Sequence, residues 1–177
     1  MNTPMRTLFT GNLTLEPQVA GHAEAMFPVL SDLAIYEFEN EPPASVEWLR
    51  ERFQKLESRR SADGREQWLN WVVRLHPDGL IGYVQATVHA AGSAEIAYEF
   101  SSAYWGRGLA RQATAAMMAE LASHYGVTRL FAVAVRKNVR SIRLLERLGF
   151  TVASAQLHAQ HGVKPSEVLM WREIKPE

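Results

Sequence analysis

The stretch Tyr104-Trp105-Gly106-Arg107-Gly108-Leu109-Ala110-Arg111 joins a strand-like run, Ala94 to Phe100, to a helix-like run, Leu109 to Tyr125. A helix start carries unpaired backbone N–H groups and a partial positive charge. Glycines let a ligand come close to that backbone. The combination suits an anion such as a phosphate or pyrophosphate; a tight turn between two ordinary elements would use the same residues. Just upstream, Glu95 and Glu99 alternate with Ile96 and Phe100, so the two acids share one face of their strand. They can exchange a proton with a bound group, directly or through water, or simply face solvent. Asn138, at the end of a second strand-like run, can cap the helix that follows it.

A second set lies nearer the N-terminus. In Ile35-Tyr36-Glu37-Phe38-Glu39-Asn40-Glu41-Pro42-Pro43, acids and aromatics alternate before a double proline. This is either a solvated edge or a substrate lip, with Tyr36 and Phe38 shaping a pocket and Glu37 and Glu39 drawing in a cation. His158 and His161 are the close histidine pair. On a strand their spacing puts them on opposite faces, and the chain has no cysteine to join them, so no metal site is expected.

The elements that must hold these residues follow from periodicity and turn signals. Leu13 to Pro17 reads as a first strand. His22 to Leu30 has helical spacing, with Pro28 inside it. Ser45 is a helix N-cap ahead of Trp48, Leu49, Phe53 and Leu56, and the tryptophans of this region read as core. Glu51 and Lys55 are an i,i+4 pair of the stabilising orientation. Gln67–Leu75 and Leu80–Val88 flank the turn His76-Pro77-Asp78-Gly79, and Ala94–Phe100 follows Ala91-Gly92-Ser93, which makes an antiparallel meander. Gly126 suits the position after a helix. Leu130–Val135 then closes one right-handed parallel crossover. The helix Val139 to Leu148 ends at Gly149, with Phe150 packing back on Leu145. Thr151–Leu157 and Glu167–Trp171 read as two closing strands.

Composition narrows the functional classes. The 177 residues suit one domain, and 47% hydrophobic with 21% charged residues suits a globular protein. Nineteen basic and nineteen acidic residues cancel, so bulk charge holds neither a nucleic acid nor a membrane. With no cysteine there is no disulfide, thiolate metal site or cysteine nucleophile, and a reducing cytoplasm fits. Met1-Asn2-Thr3-Pro4-Met5-Arg6 leads into no apolar signal core. A dinucleotide fold is excluded because Arg111 stands where the third glycine belongs, and a serine hydrolase for want of G-x-S-x-G.

Glu95-Ile96-Ala97-Tyr98-Glu99-Phe100, Tyr104 to Ala110, and Asn138-Val139-Arg140-Ser141 through Gly149-Phe150 together resemble the GNAT N-acetyltransferases. Within them, they resemble the Rim-type branch, which acetylates protein N-termini and similar amines. The order of elements matches from Leu13 to Trp171. The resemblance implies an α+β fold over residues 1–177, with a mixed, mostly antiparallel central sheet of about seven strands flanked by about four helices. It implies acetyl-CoA as acyl donor, coenzyme A as product, and a primary amine as acceptor: a peptide N-terminus, a polyamine or an aminoglycoside-like amine. It implies a cytoplasmic monomer or homodimer.

The family loop, Q/R-x-x-G-x-G/A, falls on Trp105 to Ala110. Gly108 and Ala110 match, while Trp105 replaces Gln or Arg. By this resemblance, backbone N–H groups of Gly106, Gly108, Leu109 and Ala110 hold the pyrophosphate, with Arg107 or Arg111 as ionic help. The flanking strands splay, and the pantetheine arm pairs with backbone around Tyr98, Glu99 and Phe100. An N–H there steadies the thioester oxygen, an effect of about 3 kcal/mol per donor. Asn138 contacts the arm and Ser141 sits near the thiol. Glu99, nearer the glycine turn, or Glu95 is the base, and Ser141 protonates the leaving thiolate. Many members use a Tyr seven residues after this Asn; here that residue is Leu145, which leaves Tyr98 and Tyr104 as substitutes. A domain that binds acyl-coenzyme A without catalysis, as a sensor or assembly module, is the alternative.

Overall fold

Eight strands form one sheet in the order β1-β2-β3-β4-β5-β6-β8-β7. They are β1 Leu8–Thr10, β2 Leu13–Pro17, β3 Glu66–Leu75, β4 Gly79–His89, β5 Ser93–Phe100, β6 Arg129–Val135, β7 Thr151–Val152 and β8 Glu167–Glu173. The helices are α1 Ala23–Leu30, α2 Val46–Leu56, α3 Leu109–Tyr125, α4 Val139–Arg147 and α5 Ala155–Gln160. The computed structural model describes residues 3–176. Met1 and Asn2, the first two positions of the stretch expected to lack a signal core, lie outside the described residues, as does Glu177.

Alternation along the strands divides the interior into two layers. Leu69, Trp71, Val73 and Leu75 of β3 and Val84, Ala86 and Val88 of β4 face α3 and α4, where Ala113, Met117, Leu121 and Leu145 complete the larger core. Val72 points the other way, to Ala23, Met26, Leu30, Leu49 and Phe53 of α1 and α2. Phe131 of β6 likewise turns from that larger core to Leu169, Ala153 and Leu157, so α5 shares the α1–α2 side.

Every strand pairing is antiparallel except β5 with β6, which α3 connects. The crossover ends as its sequence suggests. Gly126 lies in the left-handed region at φ +65, and Leu121 C=O accepts the Val127 N–H at 3.0 Å. Helix α4 ends in a Schellman motif: Phe150 N–H donates to Leu145 C=O at 3.0 Å and Gly149 N–H to Glu146 C=O at 2.9 Å, with Gly149 at φ +85.

Five expectations are corrected. β1 precedes the strand expected to be first, and it pairs with β2 across a turn at Gly11. The strand expected over Thr151–Leu157 is only Thr151–Val152; Ser154 then caps α5, its Oγ accepting the Leu157 N–H at 3.2 Å. The capping serine outweighs an alternation only a few residues long. His158 and His161 therefore lie a helical turn apart, not on opposite strand faces. Trp48 is 47% exposed rather than core, and among the described residues Glu51 and Lys55 form no ion pair.

Met117, fully buried between α3 and the sheet, carries the helix whose first turn borders the glycine loop. Met117→Ala is expected to lower stability by about 2–5 kcal/mol, whereas Met117→Leu should cost less than about 1.5 kcal/mol. Urea unfolding of the two variants measures both.

Candidate active site

Strands β5 and β6 are registered at only three positions, Ser93–Glu95 against Arg129–Phe131. Past Glu95, β5 stays with β4 as far as Phe100, and β6 stays with β8 as far as Val135. A cavity of about 420 Å³ opens where they part. The Ser101 N–H donates to Ile81 C=O at 2.9 Å on the β4 side. Alternation then turns the backbone groups of Phe100 and Tyr98 toward the gap. The Trp105 indole N–H takes the Phe100 carbonyl at 2.9 Å. The Phe100 N–H and both Tyr98 backbone groups face the gap without a strand partner.

The glycine loop forms one end of the cavity. Gly106 and Gly108 have φ of +75 and +74, and a Cβ at either would meet nothing within 4 Å. Their conformation favours glycine, and the space beside them is open. No side chain caps α3 and no acid lies in its first turn. The first intrahelical bond is Gln112 N–H to Gly108 C=O at 3.0 Å. The N–H groups of Leu109, Ala110 and Arg111 precede it and have no helical partner. Arg111 lines the cavity. Arg107 does not; its guanidinium lies 5.5 Å from the Tyr104 ring centroid. Arg140 of α4 stacks on Trp105 at 3.6 Å, which joins the two sides of the gap at its mouth.

Asn138 and Ser141 stand on the α4 side. Asn138 Oδ1 accepts the Ser141 N–H at 3.2 Å, which caps the helix and leaves the Asn138 amide nitrogen for the cavity. Ser141 Oγ and the Tyr98 hydroxyl share a 2.8 Å hydrogen bond. Burial pushes the Tyr98 phenol up to about 12 and the Ser141 bond opposes it, so Tyr98 keeps its proton at neutral pH. Leu145, where a Tyr would stand in many relatives, is core.

Glu99 forms the acid end, directly across from Tyr83 on β4. Burial raises the Glu99 pKa, a hydrogen bond with Tyr83 works against the rise, and the charge of Glu39 adds to it. Burial also raises Glu39, as does the charge of Glu167, while Lys164 opposes. Phe38, Glu39 and Asn40 line this end; Tyr36 and Glu37 do not. The lip is a 3₁₀ turn at Leu33–Tyr36 rather than an alternating edge. Tyr36 turns its hydroxyl back to Leu30 C=O at 2.6 Å, and Glu37 is exposed. Asp32 ties the lip to the end of β5: it accepts the Ser102 N–H at 2.6 Å and the Ala34 N–H at 3.1 Å. Those bonds, that to Ser102 first, hold its carboxyl below the usual range.

Glu95 is outside the cavity, its side chain 54% exposed and 3.6 Å from His161 Nδ1. Tyr83, Gln85 and Arg140 line the cavity but were not singled out from the sequence. Hairpin register would have put Tyr83 opposite Glu99. Arg140 was visible within Asn138-x-x-Ser141, but only the fold brings it onto Trp105.

An open sheet edge, an uncapped helix start and a buried carboxyl in one cavity are the working parts of an acyltransferase of mixed α/β fold. The model of the Acetyltransferase (GNAT) domain matches residues 12–151, and the chain belongs to that family. No curated protein matches it. Among solved structures, the chain is similar to RimL, the ribosomal L7/L12 alpha-N-protein acetyltransferase in complex with coenzyme A, at a TM-score of 0.79 and 16% identity, covering 97% of this chain and 100% of that one. The ribosomal-protein-S5-alanine acetyltransferase from Vibrio fischeri follows at 0.74 and 17%, covering 96% and 97%. A chimera of the spermidine N-acetyltransferase SpeG from Vibrio cholerae and hSSAT superposes at 0.74 and 20%, covering 92% and 96%. At these identities the likeness is one of fold.

The raised pKa of Glu99 makes stability depend on pH. The folded protein keeps this proton at pH values where the unfolded chain has lost it. Stability from this group is therefore present at low pH and declines as pH rises from the ordinary glutamate range through the raised value. Glu99→Gln is expected to flatten that decline. Urea midpoints of both proteins between about pH 4 and pH 8 check it.

Proposed function

We propose that this chain is a cytoplasmic acetyl-CoA-dependent N-acetyltransferase of the Rim-type branch that acetylates a primary amine. The acceptor is a peptide N-terminus, a polyamine or an aminoglycoside-like amine. One observation carries the reading: the unpartnered backbone of β5, the uncapped start of α3 and the desolvated carboxyl of Glu99 meet in a single cavity.

The residues present fit such a donor. Open space beside Gly106 and Gly108 leaves room for a pyrophosphate against the N–H groups that begin α3, with Arg111 beside them. The Tyr98 backbone and the Phe100 N–H offer a strand edge to an amide-bearing arm, and Asn138 offers its free amide nitrogen. When bound, acetyl-CoA supplies the acetyl group as an activated thioester. Glu99 takes the proton from the incoming ammonium, for which a carboxyl with a raised pKa is better suited than an exposed one. Glu39 helps to hold the cation. The Ser141 and Tyr98 hydroxyls keep a transferable proton on the opposite side of the gap. Holding both reactants along one edge supplies part of the rate by fixing their orientation.

Glu99→Gln is expected to lower kcat by about 10² to 10⁴-fold. In the native enzyme kcat/KM should climb as pH rises through the raised Glu99 pKa, and the variant should lose that limb. Thiol release across peptide N-termini, polyamines and aminoglycosides measures both; acetyl-CoA binding without turnover of any amine would sink the enzyme reading. Gly108→Asp places a carboxylate at the start of α3, and Asp tolerates positive φ better than most residues. Acetyl-CoA affinity by calorimetry should fall at least about tenfold, and less for Gly108→Asn.

A further inference from the structure

A second cavity, of about 310 Å³, lies beside the first. Trp68 and Asn70 of β3 and Gln85 and Thr87 of β4 line it from the sheet, and Arg52 and Lys55 of α2 line it from above. Gln85 lines both cavities. It pairs with Asn70 on one side and Ala97 on the other, one step along from the Tyr83–Glu99 pair. The two cavities are thus neighbouring parts of one sheet face.

The cations of the second cavity have no carboxylate partner among the described residues, although the Arg52 guanidinium lies 5.9 Å from the Trp48 ring centroid. Among the described residues Arg52 and Lys55 form no ion pair. The acids at its rim are engaged: Glu66 accepts the Trp68 indole N–H at 3.1 Å and lies 3.9 Å from His89, and Glu95, across from Thr87, lies 3.6 Å from His161. Asn70 is 4% exposed and lines the cavity, yet among the described residues its side-chain amide makes no hydrogen bond. Its amide atoms are not sealed off, and the side they leave open is the cavity. Asn70 offers its amide to whatever enters.

Spacing restricts what can use both cavities. Residues two apart on a strand are about 7 Å apart and neighbouring strands about 5 Å, so Glu99 and Asn70 are about 12 Å apart across the sheet. Glu99 lines the first cavity and Arg52 and Lys55, both exposed, line the second, so the reach of these side chains shortens the separation that a ligand must span. A chain rising about 3.3 Å per residue carries an amino terminus and a third-residue carboxylate at roughly that shortened separation. A polyamine has no anion to offer, and a free amino acid holds its two charges too close together.

We propose that the second cavity is an acceptor subsite for an anionic side chain, and that the acceptor is a peptide N-terminus with Asp or Glu near its third position. This rests on the amine-acetyltransferase reading and narrows its acceptor.

The test uses the full chain, acetyl-CoA and C-terminally amidated pentapeptides that differ only in Glu or Gln at the second, third or fourth position. Wild-type kcat/KM should favour Glu about tenfold, most at the third position, and the preference should shrink as salt is raised. In Arg52→Gln with Lys55→Gln the ratio should fall to about one, with thermal unfolding confirming that the variant is folded. Asn70→Ala should reduce the ratio through KM. Equal turnover of Glu and Gln peptides by wild type at every position overturns the subsite and leaves the acetyltransferase reading standing. Charge-selective binding of the Glu peptide, followed by tryptophan fluorescence, without any acetylation supports the subsite and sinks the enzyme reading. Selective turnover that survives in the double variant also overturns the assignment to Arg52 and Lys55.

Discussion

Tyr98 and Phe100 lie in the interior of an eight-stranded sheet yet turn backbone groups toward no neighbouring strand. A buried backbone group without a partner costs about 1–3 kcal/mol. The sheet sustains the break because each strand is held from its outer side: β5 by eight registered pairs with β4, β6 by seven with β8. Neither can swing inward without losing pairs already made. The Trp105 indole satisfies the Phe100 carbonyl, which leaves the remaining groups free along a polar edge. A gap of this kind persists only where something polar fills it, water or a ligand.

The residues that settle local structure also shape the cavity. Asn138 closes the first turn of α4 with one end of its amide and presents the other. Asp32 ends one loop and pins another, which brings Glu39 over Glu99. Trp105 anchors the glycine loop to β5 while Arg140 covers its ring. Altering any of these changes fold and site together. Glu99 is different: it makes none of these anchoring contacts, and its link to stability runs through its protonation.

The strand–loop–helix passage from Ala94 to Tyr125 was legible because each part carries a strong local signal: alternation, two glycines, a four-residue apolar repeat and a closing Gly126. The Schellman end at Gly149 was legible for the same reason. What failed depended on tertiary partners. Leu8–Thr10 has no pattern of its own and becomes a strand by pairing with β2. Thr151–Leu157 alternates over too short a span to outweigh the Ser154 cap. Glu95 and Glu99 are equivalent by periodicity. The α1–α2 loop covers Glu99, while Glu95 remains exposed beside His161, the residue that closes α5 in a stretch expected to be a loop after the strand Thr151–Leu157.

The cavity is electrically divided. At one end are the α3 start, Arg111 and Arg140, with no acid in the first helical turn; at the other are Glu99 and Glu39. Burial raises both carboxyls, and the charge of Glu39 adds to the rise at Glu99, so the acid end is costly to ionise while it is empty of cations. An arriving ammonium removes part of that penalty. It also meets a carboxylate whose raised proton affinity suits it to accept a proton. The burial that disfavours the charged carboxylate in the folded protein is therefore the same burial that makes Glu99 a stronger base than an exposed glutamate, and the arriving cation offsets part of that rise.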